Sequence, residues 1–117
     1  MFKILLFSIA LLASTVTYAK QIDTLITHVG CHVDNSICYI YIPKINNTST
    51  IPSSNNCPNK GLDSIRWDST KIKNADAILS IFLAAQATKK KVSIWIPDDS
   101  STCVSGFPTL SYAHIRN

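Results

Sequence analysis

The chain contains no glutamate, and only three of its 117 residues are glycine. Each shortage removes a class of function. A glycosidase would have to use paired aspartates, and the one adjacent pair, Asp98-Asp99, falls in a loop, where it reads as a solvated turn. Three glycines leave no room for a phosphate-cradling loop, and neither GxSxG nor HExxH occurs. Charged residues make up only 15% of the chain, and no like-charge block is longer than Lys89-Lys90-Lys91. That block ends a predicted helix, where cations complement the dipole, so no nucleic-acid surface is read from it. The histidines, His28, His32 and His114, all lie on predicted strands, without the nucleophile and orienting group that catalysis requires. The cysteines show no CxxC spacing, which argues against zinc. The expectation is a protein that is not an enzyme, with no metal and no cofactor.

What is present begins with an apolar leader, Met1 to Ala19. Lys3 supplies a positive n-region, Ile4 to Ala13 is almost purely apolar, and Thr17-Tyr18-Ala19 places small residues where a signal peptidase reads. Beyond it no stretch is long and apolar enough to span a bilayer. The expectation is a signal peptide over 1–19 and a single secreted or periplasmic domain over 20–117. Losing Lys3 leaves ten basic and seven acidic side chains, a mildly basic balance that suits ordinary solubility first and an anionic surface second.

Export turns Cys31, Cys38, Cys57 and Cys103 into candidate staples. Three connectivities are open, and Cys31–Cys38 with Cys57–Cys103 is favoured. The first pair flanks a predicted hairpin turn, and the second closes a long loop, for which chain entropy predicts about 4 kcal/mol.

Strand signals cover Ile22 to Val33 and Ile37 to Ile42, joined by the turn residues Asp34-Asn35-Ser36. Within the first run Ile22, Thr24, Ile26 and His28 alternate against Asp23, Leu25, Thr27 and Val29, and Gly30 marks a bulge or bend. A long loop, Pro43 to Lys60, carries two formal glycosylation sequons at Asn46 and Asn47. Leu62 to Trp67 is a third strand, Lys91 to Ile96 a fourth and Thr109 to Arg116 a fifth. Between the third and fourth, Asp68-Ser69-Thr70 offers N-caps for a helix running to about Thr88. Apolar residues from Ile72 to Ala85 leave only a narrow polar stripe, which predicts a helix covered on most sides, by loops or by another subunit. Five strands with one helix between the third and fourth match the element order of an OB-fold, a five-stranded barrel. The predicted class is therefore mainly β with one long helix, an OB-fold-like barrel with two disulfides.

Binding is better motivated than catalysis. Tyr39, Tyr41, Trp67, Trp95 and Tyr112 are rigid aromatic surfaces that either fill the core or meet a partner. Trp95 stands apart, because alternation places it opposite Val92, Ile94 and Ile96, as a ligand or subunit contact.

The end of the chain, with Cys103-Val104, then Pro108, then a strand closing in Ile115-Arg116-Asn117, resembles the B subunits of cholera and heat-labile enterotoxins. The long helix before a strand and that cysteine is similar to the same arrangement. In size, leader, element order and disulfides the chain resembles the OB-fold B subunits of bacterial A–B toxins, including the subtilase-cytotoxin and pertussis-like groups. The resemblance implies a lectin-like pentamer that binds a cell-surface glycan or glycoprotein receptor, lines its pore with helices and carries an exported A subunit. It also has limits. Ser105 stands where the enterotoxin pattern has a sugar-stacking tryptophan, and Lys20 to Ile26 does not suggest the N-terminal helix that its disulfide reaches. No ganglioside-binding residue is carried over. A monomeric secreted inhibitor or accessory protein is the other reading.

Overall fold

The computed structural model describes residues 19–98 and 102–116, so the predicted leader, apart from its last residue, lies outside them. Six strands alternate with one long helix: β1 (Ala19–Thr24), β2 (His28–Cys31), β3 (Ile37–Tyr41), β4 (Ser64–Asp68), α1 (Ala75–Thr88), β5 (Val92–Pro97) and β6 (Tyr112–Ile115). They form two antiparallel sheets, ordered β1-β5-β6 and β2-β3-β4. The five-stranded OB-fold-like barrel expected from the sequence is thus replaced by six strands in two open three-stranded sheets.

The difference arises in the first predicted strand, which breaks between Thr24 and His28. Ile22, Thr24 and Ile26 are buried, but the next residues turned toward the core are odd-numbered: Val29 packs on it while His28 is exposed. One residue has dropped out of the alternation, so the two halves present opposite parity to the core. The carbonyl of Tyr41 fixes the break by accepting both the backbone N–H (3.0 Å) and the hydroxyl (3.1 Å) of Thr27. β1 then pairs with β5, and β2 with β3. Gly30, expected to bulge, instead stays in continuous register opposite Tyr39.

Ile22 and Ile26 join Ile40, Ile65, Trp67, Ile94 and Ile96 in one core between the sheets and α1. Trp67 packs on Phe82 of the helix, with ring centroids 5.4 Å apart. Among the helix's own residues only Phe82 and Ala85 are buried; Leu83 is 47% exposed. Among the described residues of the chain the helix is therefore covered on one face only, so loops do not wrap the remainder.

It also starts later than Asp68-Ser69-Thr70 suggested. The Asp68 carboxylate accepts from the Thr70 N–H (3.0 Å) and hydroxyl (2.6 Å), closing a turn of its own rather than capping a helix. Asn74, in the left-handed region at φ 59°, precedes the first helical residue instead. At the other end Lys89 is left-handed too, and its N–H donates to the carbonyls of Ala85 and Gln86.

Cys31 is bonded to Cys38, its register partner across β2 and β3. Cys57 is bonded to Cys103, tying the long loop to the segment before β6. Two tight turns at Asn46-Asn47 and Ser105-Gly106, with positive φ at both central residues, reverse the chain on either side of that bond. Among the described residues no helix is long and apolar enough to cross a membrane.

Candidate functional site

Val92, Ile94 and Ile96 are wholly buried against the core, and the opposite side of β5 carries Ser93, covered by its neighbours and also wholly buried, and the half-buried Trp95. Register sets their neighbours. Trp95 lies between Gln21 of β1 and Tyr112 of β6, and Ser93 between Asp23 and His114. The outer face of the first sheet thus carries two cross-strand rows, one aromatic and amide, the other hydroxyl, carboxylate and imidazole.

The rings are ordered. Trp95 stacks on Tyr112 at 5.6 Å between centroids and 25° between planes, and Tyr112 on His114 at 5.7 Å and 14°. Tyr112 is 43% exposed, Trp95 half-buried. The indole N–H of Trp95 is buried and meets no acceptor among the described residues. So Trp95, on the face that alternation gave it, is the inner, half-buried end of a near-parallel stack.

Beside the stack the polar row is wired through Asp23. Its Oδ1 accepts from the Ser93 hydroxyl at 2.5 Å and from the Gln21 amide at 3.1 Å, and its Oδ2 pairs with Arg116. These donors, Ser93 first, hold the Asp23 carboxyl below its ordinary range. A cavity of about 370 Å³ opens here, lined by Asp23, Lys90, Lys91 and Arg116. A second, of about 450 Å³, opens at the far end of the stack between Tyr112, Leu110, the segment before α1 at Ile72 and the first turn of α1 at Ile78.

The other candidate aromatics go elsewhere. Trp67 is in the core. Tyr39 and Tyr41 sit on the outer face of the second sheet, where rings meet edge to face: His28 on Tyr41, Tyr39 on Tyr41 and His32 on Tyr39, at 78° to 85°. Arg66 closes that group, its guanidinium 3.6 Å from the Phe107 ring centre and 5.7 Å from that of Tyr39. On the second sheet Arg66 already lies over the rings of Phe107 and Tyr39, whereas the stack of the first sheet has a polar row and a cationic cavity beside it. The first sheet is therefore the better platform.

Gln21, Ser93, Asp23 and Arg116 were not singled out from the sequence as site residues, and His114 was weighed there only for catalysis. Only the antiparallel register of β1 and β6 against β5 collects them, and no local motif encodes it. His28, in β2, and His32, just after it, join the rings of the second sheet instead. Comparison with known families, with curated proteins and with solved structures found no match for the chain.

Proposed function

We propose that this chain is a secreted, non-catalytic binding subunit that recognises a cell-surface glycan or glycoprotein receptor through the outer face of the β1-β5-β6 sheet. One observation carries the reading: the near-parallel stack of Trp95, Tyr112 and His114 beside the exposed polar groups Gln21, Asp23 and Arg116, with the buried Ser93 hydroxyl orienting Asp23 from beneath. Flat rings supply contact area at little entropic cost, and hydrogen-bonding groups held in one orientation supply selectivity. A sugar, with an apolar C–H face and a rim of hydroxyls, needs both.

The strand pairing supports likening the chain to the OB-fold B subunits of A–B toxins. β1 and β2 act as one broken strand shared by both sheets, β1 meeting β5 and β2 meeting β3. Between β4 and the segment before β6, the Arg66 N–H donates to the Pro108 carbonyl at 2.9 Å, across the side where a barrel would close. The uncovered side of α1, with Leu83 exposed, supports assembly into a homo-oligomer such as a pentamer, to which an exported A subunit would attach.

A glycan array probed with the secreted chain tests the binding claim. Trp95→Ala and Tyr112→Ala should each remove most of the signal while the far-ultraviolet circular dichroism stays unchanged. Binding that survives both substitutions would place the ligand elsewhere. Light scattering tests assembly: a monomer at micromolar concentration would sink the pentamer.

A further inference from the structure

The stack leaves unexplained the cationic cavity at one end of the same sheet's strands, where β1 and β6 finish and β5 begins. Lys90 and Lys91 are exposed, yet their backbone is pinned on both sides. The Lys90 N–H donates to the Ala85 carbonyl at 3.1 Å, and the Lys91 carbonyl accepts from the Arg116 N–H at 2.8 Å. Asp23, the one acid lining the cavity, has both oxygens engaged, by Ser93 and Gln21 on one and Arg116 on the other. Neither lysine pairs with a carboxylate among the described residues. Among the described residues the cavity wall therefore carries three cations against one anion, and that anion is already paired with Arg116.

We infer that this cavity holds a sulfate ester on the glycan bound by the stack, so that the ligand is a sulfated glycan. The inference rests on the glycan reading above and narrows its substrate class. Sulfate is favoured over carboxylate by the kind of cation left free. Arginine is the residue that grips a planar carboxylate with two parallel bonds, and in Arg116 the Nη1 end is already taken by Asp23 Oδ2. Two lysine ammonium groups remain, compact charges with rotatable donors that suit the three terminal oxygens of a tetrahedral ester. The helix C-terminus nearby would repel an anion through free carbonyls, but those of Ala85 and Gln86 already accept from Lys89. At about 370 Å³ the cavity is of the size that takes a small ligand group.

Isothermal titration at physiological salt decides it, with a sulfated chondroitin oligosaccharide and the same oligosaccharide chemically desulfated, which keeps its carboxylates. The sulfated probe should bind about tenfold tighter or better, and the double substitution Lys90→Gln/Lys91→Gln should erase that difference. Lys71→Gln, an exposed lysine on another part of the surface, should leave it intact. Equal binding of the two probes, or equal loss from Lys71→Gln, overturns the inference. Binding of both probes that needs Trp95 but ignores sulfation leaves the glycan reading standing and removes only the sulfate. Sulfate-dependent binding that ignores Trp95 removes the aromatic reading and keeps the cavity. No binding of either probe overturns the sulfate assignment, and the array then judges the glycan reading separately.

Discussion

The ring of Tyr39 lies across Gly30, so close that a Cβ at that position would stand 2.7 Å from the phenol oxygen and 2.9 Å from Cζ. The glycine is there for the ring, since its φ lies outside the left-handed region and alanine would fit the backbone. His32, Tyr41 and Arg66 surround the ring and limit where it can go. Gly30→Ala should therefore cost about 1 kcal/mol through overpacking. In a Tyr39→Ala background the same change should be neutral or stabilising, because alanine is favoured over glycine in a strand by about 0.5–1 kcal/mol. A double-mutant cycle by urea unfolding checks this; an equal cost in both backgrounds would show that the ring is not the cause.

Asp68 ties the β2-β3 hairpin turn to the end of β4. Its Oδ1 accepts from the Ser36 hydroxyl at 2.6 Å and from Thr70, which holds its pKa down to about 2 against an ordinary 3.8, Ser36 being the largest cause. A depressed folded-state pKa means the unfolded chain takes up the proton first. The stabilisation is thus complete above the ordinary value and fades as pH falls toward about 2. Asp68→Asn should be less stable than the parent at neutral pH, and the gap should close through that acid window. Unfolding midpoints measured across pH test it, and a gap that persists at the acid end would rule out the carboxylate as its source.

These two cases show what the sequence carried. The turn at Asp34-Asn35-Ser36, the strong β3 run and the aliphatic face of β5 are local signals, and each yields an element close to its predicted span. The break at Leu25–Thr27 is not local. Ile22 to Val33 is β-forming throughout, and only the demand that β1 serve one sheet and β2 the other forces the parity to slip. Asp68 was misread for a related reason. Asp-Ser-Thr is equally good as a helix cap and as a turn, and the Ser36 contact, formed by a distant segment, selects the turn. Trp95 was legible from alternation alone, whereas Tyr112, His114 and Asp23 reach its face only through register.

Asn55 is wholly buried in the long loop, and both ends of its amide are used. Its Oδ1 accepts from the Cys57 N–H at 2.9 Å, and its Nδ2 donates to the Pro97 carbonyl at 3.3 Å, fastening the loop to the end of β5. Asn55→Ala strands a buried N–H and a carbonyl, and should cost about 2 kcal/mol. Asn55→Asp keeps the acceptor and loses the donor, burying a charge that the Pro97 carbonyl repels. Both variants should unfold at lower denaturant, and a change within 0.5 kcal/mol, roughly the scatter of surface substitutions, would mean the loop is held by other contacts.

The two disulfides close loops of different length, with sequence separations of 7 and 46 residues. On the chain-entropy account the longer loop contributes about 4 kcal/mol and the shorter about 2.5 kcal/mol. Cys57–Cys103 also anchors the loop containing Asn55 and the turn at Ser105-Gly106, whose Gly106 carbonyl accepts from the Asn59 N–H at 2.8 Å. Cys31–Cys38 repeats a connection that β2-β3 pairing already makes. Replacing Cys57 and Cys103 by serine should therefore lower stability more than replacing Cys31 and Cys38. The ordering is read from thermal unfolding of the two double variants. The reverse order would mean that the hairpin depends on its bridge for register, and that the long loop is held by Asn55 and its neighbours without the covalent bond.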